Sequence, residues 1–351
     1  MLVDAARRAP GFERFVWDDA WLAQHTEEAL EPLLPIIDPH HHLWDRKQRY
    51  LLDELLADIG GGHNVRATVH LQCRSMYRLD AAPEMAPIGE TEFVNGVAAM
   101  SASGAYGTAR ACAGIVGFAD LTLGAAARAV LERHMAVAPD RFRGVRHSST
   151  WHEDASLVTS PVKPPRGLLL DTRFREGFAL LAPLGLSFDA WQFFTQLDEL
   201  VDLARAFPDT TIVLDHMGGV LGIGRYEGKR GETFAAWRTA IAKAAACPNI
   251  HLKLGGMGMH TLGFGFETRP APPTSEELAA AWKPYVDAGV EAFGPDRCMF
   301  ESNFPVDKTT CGYNVLWNAF KRLAVGCSTD EKTALFSGTA ARVYRLSLSA
   351  G

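Results

Sequence analysis

Short apolar runs alternate along this chain with longer amphipathic stretches. Eight of the short runs read as strands: "PIIDPHHH" at 35–42, "RATVHLQC" at 66–73, "CAGIVGFADL" at 112–121, "FRGVRH" at 142–147, "LGLSFDAW" at 184–191, "TTIVLDHMGG" at 210–219, "NIHLKLGGMG" at 249–258 and "RCMFESNFP" at 297–305. Their apolar parts are rich in β-branched and aromatic residues, as buried strands require. Helical patterns lie between them, for example at 51–59, 125–137, 196–207, 234–246 and 275–293. In the third, Leu197, Leu200, Val201 and Ala204 repeat at i, i+3, i+4, i+7, a stripe suited to packing on a sheet. Thr274 and Ser275 followed by Glu276 and Glu277 make a capped, acidic start for the last.

Strands that alternate with helices imply a parallel sheet. Eight such units in a chain of 351 residues fit an α/β fold of the (β/α)8 TIM-barrel type. An open doubly wound sheet is the alternative, but no strand is followed by G-x-G-x-x-G. Residues 1–34 read as an N-terminal helical extension and 35–351 as the barrel domain. The proline-rich segment 158–170 reads as a surface loop. Residues 256–274 read as a long loop after the seventh strand, where a barrel carries a lid.

Composition narrows the function classes. The net charge of −6 is spread without long runs, so neither nucleic acid nor an anionic membrane is an expected partner. No apolar run reaches the roughly 20 residues of a membrane span. The N-terminus lacks the basic-then-apolar pattern of a signal peptide. The six cysteines are scattered with no C-x-x-C pair, as free thiols in a reducing compartment are. The expectation is a cytoplasmic protein acting on a small molecule; exposed helices allow a homodimer.

In a barrel, chemistry sits at the C-terminal ends of the strands. Those ends carry His40 and His42, Gln72, Arg146, Asp189 with Trp191, Asp215 with His216, Lys253, and Glu301 with Asn303. Alternation along a strand turns His40 and His42 to one face and His41 to the other. Two such imidazoles can ligate one metal or hold one anionic group. His216 precedes Gly218-Gly219, where a ligand can approach the backbone. Arg146 suits a carboxylate, and Lys253 offers a point charge. His63, His134, His251 and His260 have no such company and read as surface or helix-face residues.

"IDPHHHLWD", "GFADL", "RGVRH", "LSFDAW", "QLDELVDLARAFPDTTIVLDHMGG" and the Ser302–Pro305 stretch together resemble the amidohydrolase-2 branch of the amidohydrolase superfamily, in particular its sugar lactonases and dicarboxylate-lactone hydrolases. The resemblance spans about 35–345. It implies a (β/α)8 barrel and, most often, opening of a lactone ring. Some members bind zinc or manganese, others need no metal, and decarboxylases and hydratases share the barrel. His40 and His42 match the first-strand histidines, Arg146 a substrate-orienting position and His216 the sixth-strand histidine.

The departure lies at the eighth strand. Where the family usually has an acid/base Asp in Ser-Asp-Trp-Pro, this chain has Asn303, and an amide cannot take a proton at neutral pH. Three readings stand open. The base has moved to Glu301, one layer deeper, or to Asp307 on the following loop; a histidine has become the base; or hydrolysis has given way to another reaction or to ligand binding alone. The expected catalytic set is therefore His40, His42, His216, Glu301, Asn303 and Asp307. The expected substrate contacts are Gln72, Arg146, Asp189, Trp191 and Lys253. A zinc or manganese ion, if bound, is expected on His40, His42 and His216; loss of the strand-eight Asp tips the reading slightly towards no tightly held metal.

Overall fold

The computed structural model describes residues 15–158 and 162–347. Eight parallel strands form one sheet in chain order: β1 (Pro35–His41), β2 (Asn64–Leu71), β3 (Arg110–Gly117), β4 (Phe142–Arg146), β5 (Ser187–Ala190), β6 (Ile212–Leu214), β7 (Ile250–Leu254) and β8 (Cys298–Phe300). Each is followed by a main helix: α1 (Leu52–Ile59), α2 (Ile88–Ala102), α3 (Ala127–Val137), α4 (Thr172–Phe178), α5 (Leu197–Ala206), α6 (Arg230–Ala245), α7 (Ser275–Phe293) and α8 (Tyr313–Leu323). The barrel expected from the alternation is present. The capped start of α7 is also present: Thr274 accepts from the Glu277 N–H while Glu277 accepts from the Thr274 N–H.

The seam between β1 and β8 closes above the strands proper. Asn303 N–H donates to the His40 carbonyl at 2.9 Å, and His42 N–H donates to the Phe304 carbonyl at 2.7 Å. Asp38, fully buried, accepts from the Ser302 N–H at 3.0 Å and from the Tyr313 hydroxyl of α8 at 3.0 Å. The seam thus joins the two strands that carry His40 and Glu301.

Inside the barrel, Ile37, Val69, Leu71, Val116, Val213 and Met299 pack in one cluster with the small Ala67. Tyr344 belongs to the same cluster. It follows the short helix Thr339–Val343, is fully buried, and donates its hydroxyl to Asp189 Oδ1 at 2.6 Å. The C-terminal segment therefore plugs the lower end of the barrel, a task that strand residues alone usually perform.

The N-terminal extension differs from expectation. Residues 1–14 of it lie outside the described residues. From 15 to 34 the chain has one short helix, Asp19–Leu22, and is otherwise irregular. Its backbone groups are satisfied by α8 instead of by a helix of its own: Lys321 Nζ donates to the Leu30 carbonyl at 2.6 Å, and Asn318 donates to the Glu28 carbonyl at 2.9 Å. His134, expected on an exposed helix face, is fully buried between the Thr91 hydroxyl (2.8 Å) and the Phe118 carbonyl (2.9 Å). Its ring nitrogens make it a polar tie between α3 and its neighbours.

Because Tyr344 fills the barrel interior, Tyr344→Ala should lower unfolding free energy by roughly 3–5 kcal/mol, the usual cost of an aromatic-to-alanine cavity. Urea denaturation followed by circular dichroism measures it; a change within about 1 kcal/mol would place the side chain outside the packed core.

Candidate active site

The upper end of the barrel holds a layer of ionisable groups with no exposure: His40, Asp189, Asp215, Lys253 and Glu301. Lys253 Nζ lies 2.8 Å from Asp189 Oδ1, 3.0 Å from Asp215 Oδ1 and 3.9 Å from Glu301 Oε2. Burial alone would lower the lysine's pKa, but these three carboxylates more than offset it and the net shift is upward. Lys253 therefore stays charged, and each carboxylate gains a partner.

Glu301 bridges two histidines. Its Oε1 accepts from His216 Nδ1 at 2.7 Å and from the His216 N–H at 3.2 Å, while its Oε2 lies 2.6 Å from His40 Nδ1. Two glycines make this approach possible. A Cβ on Gly255 would lie 2.3 Å from Glu301 Cγ, and one on Gly256 would lie 2.4 Å from His216 Nδ1. His216 itself sits at φ +54°, a left-handed conformation that non-glycine residues seldom adopt.

The two ring nitrogens of His40 face different partners. Arg146 Nη1 is 3.1 Å from Nε2, and Lys253 Nζ is 3.2 Å from Nδ1. A neutral imidazole has one lone pair, so only one of these cations can donate to it. The adjacent Glu301 carboxylate places the proton on Nδ1 and leaves Nε2 to Arg146. Burial first, then Lys253, His216 and Arg146, push the His40 pKa well down; burial and Arg146 do the same for His42. Both rings are neutral at neutral pH.

Above this layer a cleft opens. Its polar lining includes His42, Gln72, Arg74, Arg146, His147, Ser148, Thr150, His216 and Asn303, and its apolar lining Phe15, Trp44, Phe118, Val162, Trp191, Met259 and Val306. His42 Nδ1 is held by the Leu71 carbonyl at 2.8 Å, which fixes that nitrogen as the donor. Trp191 packs edge-on against His216 with centroids 4.8 Å apart.

The amidohydrolase family profile matches residues 37–346. The chain belongs to the amidohydrolase family. A protein of Sinorhizobium fredii, the uncharacterized y4mH, is 35% identical over 337 residues, covering 89% of this chain and 99% of that one. An L-fucono-1,5-lactonase of Burkholderia ambifaria is 28% identical over 330 residues, covering 90% and 97%. Among solved structures, an amidohydrolase from Burkholderia multivorans with bound zinc superposes with a TM-score of 0.68 at 26% identity, covering 89% of this chain and 99% of that one.

In this amidohydrolase the residues singled out from sequence separate into two levels. His42, His216, Asn303, Gln72, Arg146 and Trp191 line the cleft; His40, Glu301, Asp189, Lys253 and Asp307 do not. Asp189 and Lys253 were expected to touch substrate. They lie beneath the cleft instead, because each satisfies the other's buried charge and Asp189 also accepts from Tyr344. Glu301 points inward as expected, but its oxygens are spent on histidines. Asp307 was expected on a movable loop. It is 1% exposed and clamped, accepting from Asn303 Nδ2 at 2.8 Å and from the Gly258 N–H at 2.9 Å. Arg146 is partly committed: Nη1 reaches Asp215 Oδ2 at 3.4 Å, and Nη2 donates to the Gln72 carbonyl. Sequence reasoning missed Tyr344, the cleft-lining Phe15 and the exposed Arg74 on the cleft wall; none sits in a pattern that distinguishes it.

The Burkholderia multivorans amidohydrolase structure holds zinc, and the buried donors of this chain can be compared with what such an ion needs. His40, His216 and Glu301 each offer a ligand atom within 4.8 Å of the others. His42, expected in this set, is replaced by Glu301. Among the described residues Glu301 Oε2 and Asp215 Oδ1 are buried without an aligned hydrogen bond, despite their short contacts. Two imidazoles, a carboxylate and an orphaned oxygen beside them fit a zinc or manganese ion in donor type and number.

Burial pushes the Asp307 carboxyl up to about 7, against the lowering by the Gly258 N–H, His216 and Asn303. Its ordinary value is 3.8. A carboxyl raised in the folded state binds protons that the unfolded chain has released, so stability declines as pH rises from about 4 to about 7. Asp307→Asn removes this term. Between about pH 5 and about pH 8 the melting temperature of Asp307→Asn should rise relative to the unmodified protein. Parallel melting curves across that range would show that Asp307 does not titrate there.

Proposed function

We propose that this hydrolase opens a lactone, a cyclic ester, on a small substrate bearing a carboxylate. The observation that carries the reading is the Glu301–His216 pair at the floor of the cleft. Glu301 accepts from Nδ1 at 2.7 Å, which fixes the tautomer and leaves Nε2 as the basic nitrogen of a ring that lines the cleft. Glu301 and Asp307 do not line the cleft, which favours a histidine as base over either carboxylate.

In this mechanism a water beside the lactone carbonyl gives a proton to His216 Nε2 as its oxygen attacks the carbonyl carbon. Glu301 stabilises the imidazolium that forms. Asn303 is oriented by Asp307, which takes one N–H of its amide; the second N–H remains for the carbonyl oxygen as it gains charge. The ring C–O bond then breaks, and the proton on Nε2 passes to the departing ring oxygen. The product is a hydroxy acid, whose carboxyl releases one proton to solvent at neutral pH. Arg146, with donors left over from Asp215 and Gln72, orients the substrate carboxylate from the cleft wall. A cation held by His40, His216 and Glu301, when bound, would supply Lewis-acid chemistry, polarising the carbonyl and acidifying water, and His216 would then serve as a ligand in place of the base.

The lactonase relatives support the choice of a lactone, and the aromatic walls of Trp44, Phe118 and Trp191 suit a flat ring. Acid release from a panel of lactones, including L-fucono-1,5-lactone and carboxylate-bearing pyrones, tests the reading. Turnover should appear on at least one carboxylate-bearing lactone, and His216→Asn should reduce kcat by roughly 100- to 10,000-fold with little change in KM. Carbon dioxide release from aromatic acids, with every lactone left intact, would replace this reading with a decarboxylase. Full activity in His216→Asn would remove the assigned base.

A further inference from the structure

A second group of metal-type donors lies outside the catalytic layer, between β2 and α2. His70 is the penultimate residue of β2, Cys73 follows the strand, and Glu90 stands in the first turn of α2. Their exposures are 0%, 7% and 2%, and one ligand atom from each lies within 4.8 Å of the others. Glu90 Oε1 is 3.5 Å from His70 Nε2 and 3.3 Å from Cys73 Sγ. Ligands at zinc's usual bond lengths, spread tetrahedrally, stand roughly 3.3–3.6 Å apart.

The polar atoms here are undersupplied. Among the described residues His70 Nδ1, Glu90 Oε2 and the Tyr77 hydroxyl nearby in sequence have no hydrogen-bond partner, and His70 Nε2 has only the long contact to Glu90 Oε1. Each buried polar group left unsatisfied costs about 1–3 kcal/mol. Glu90 is meanwhile locked in place, since its Oε1 accepts from the N–H groups of Cys73 at 2.8 Å and Ser75 at 3.1 Å. Its other oxygen is held facing no protein donor.

We propose that His70, Cys73 and Glu90 form a second metal site, selective for zinc(II) by its imidazole, thiolate and carboxylate donors. Binding forms an Sγ–zinc bond as the thiol proton leaves to water. The thiolate and carboxylate together neutralise the ion; the guanidinium of Arg46, bonded to the Cys73 carbonyl, opposes them and is outweighed. Cys73 also lines the cleft, so a water from the cleft can complete the tetrahedron. The site rivets the Gln72–Ser75 loop to α2 and thereby fixes Arg74 on the cleft wall. It is independent of the lactonase reading, and the catalytic donors contain no sulfur.

That difference gives the test. Protein stripped with a chelator is loaded with cobalt(II), whose bond to a thiolate produces a near-ultraviolet charge-transfer band that nitrogen and oxygen ligands do not. The full chain should show the band, and Cys73→Ser should lose it and hold about one zinc less per chain by elemental analysis. His70→Gln should keep the fold by circular dichroism and lower zinc affinity at the site by roughly 10-fold or more. A cobalt-loaded protein without the band, or a band and zinc content unchanged in Cys73→Ser, would overturn the proposal. If Cys73→Ser does not fold, His70→Gln decides the matter: at limiting cobalt it should weaken the band, and an unchanged band in it would overturn the proposal.

Discussion

Everything in the upper barrel depends on how a fully buried carboxylate is satisfied. Glu301 has no exposure and directly follows β8 beneath the cleft. An ion in such a place is tolerated only with close partners of opposite sign or strong donors. Its partners are His216 and His40, with Lys253 at 3.9 Å. Each partner then imposes a demand of its own. Lys253 requires Asp189 and Asp215; Asp189 takes the Tyr344 hydroxyl; Asp215 takes Arg146; Arg146 reaches the Gln72 carbonyl. The result joins β1, β2, β4, β5, β6, β7 and β8 through side chains as well as through the sheet. Deleting one member of such a set leaves a charge uncompensated, at a typical cost of about 3–5 kcal/mol. The floor of the cleft is consequently rigid, and Gly255 and Gly256 are the space it requires.

The cleft above obeys weaker constraints. Its walls come from segments that meet only there: Phe15 from the N-terminal segment, Val162 from the loop after β4, Met259 from the loop after β7 and Val306 from the turn after β8. None carries a buried charge, so each can change without disturbing the layer below. Chemistry and specificity are thus divided by depth. On the proposed reading the floor holds the proton-handling groups in one arrangement, and the walls choose what is placed against them.

Much of this was legible in the chain before any coordinates. Eight apolar runs gave eight strands because a strand buried on both faces leaves a nearly continuous apolar record. The polar residues at their ends stood out because strand ends inside a core have little other use for them. The record fails in three places, each for a physical reason. Residues 15–34 look amphipathic, yet backbone carbonyls there are satisfied by Asn318 and Lys321, 290 and 291 positions away, which no local pattern encodes. Tyr344 follows an ordinary-looking helix, and its place inside the barrel depends on side chains contributed by distant strands. Asp189 and Lys253 bear the residue types of a binding site, but depth along a barrel axis is not written in a period of two. Whether a charged strand residue faces substrate or another charge is decided by which neighbours arrive, and only the assembled barrel shows that.

The charge balance of the buried layer connects its architecture to the proposed reaction. Asp189, Asp215 and Glu301 carry three formal negative charges; Lys253 and Arg146 carry two positive ones, while His40 and His42 are held neutral. Among these groups one formal negative charge is left over, and Glu301, one of the three carboxylates, is in contact with His216. In the proposed reaction a proton taken from water by His216 Nε2 would arrive beside that anion, so the imidazolium would be stabilised without any side chain having to move. The same excess accounts for the fit of a cation among His40, His216 and Glu301, since a proton and a metal ion are two ways of meeting one deficit. An arrangement neutral at rest would have to create the charge separation during the reaction; this one is built with the compensating charge already in place.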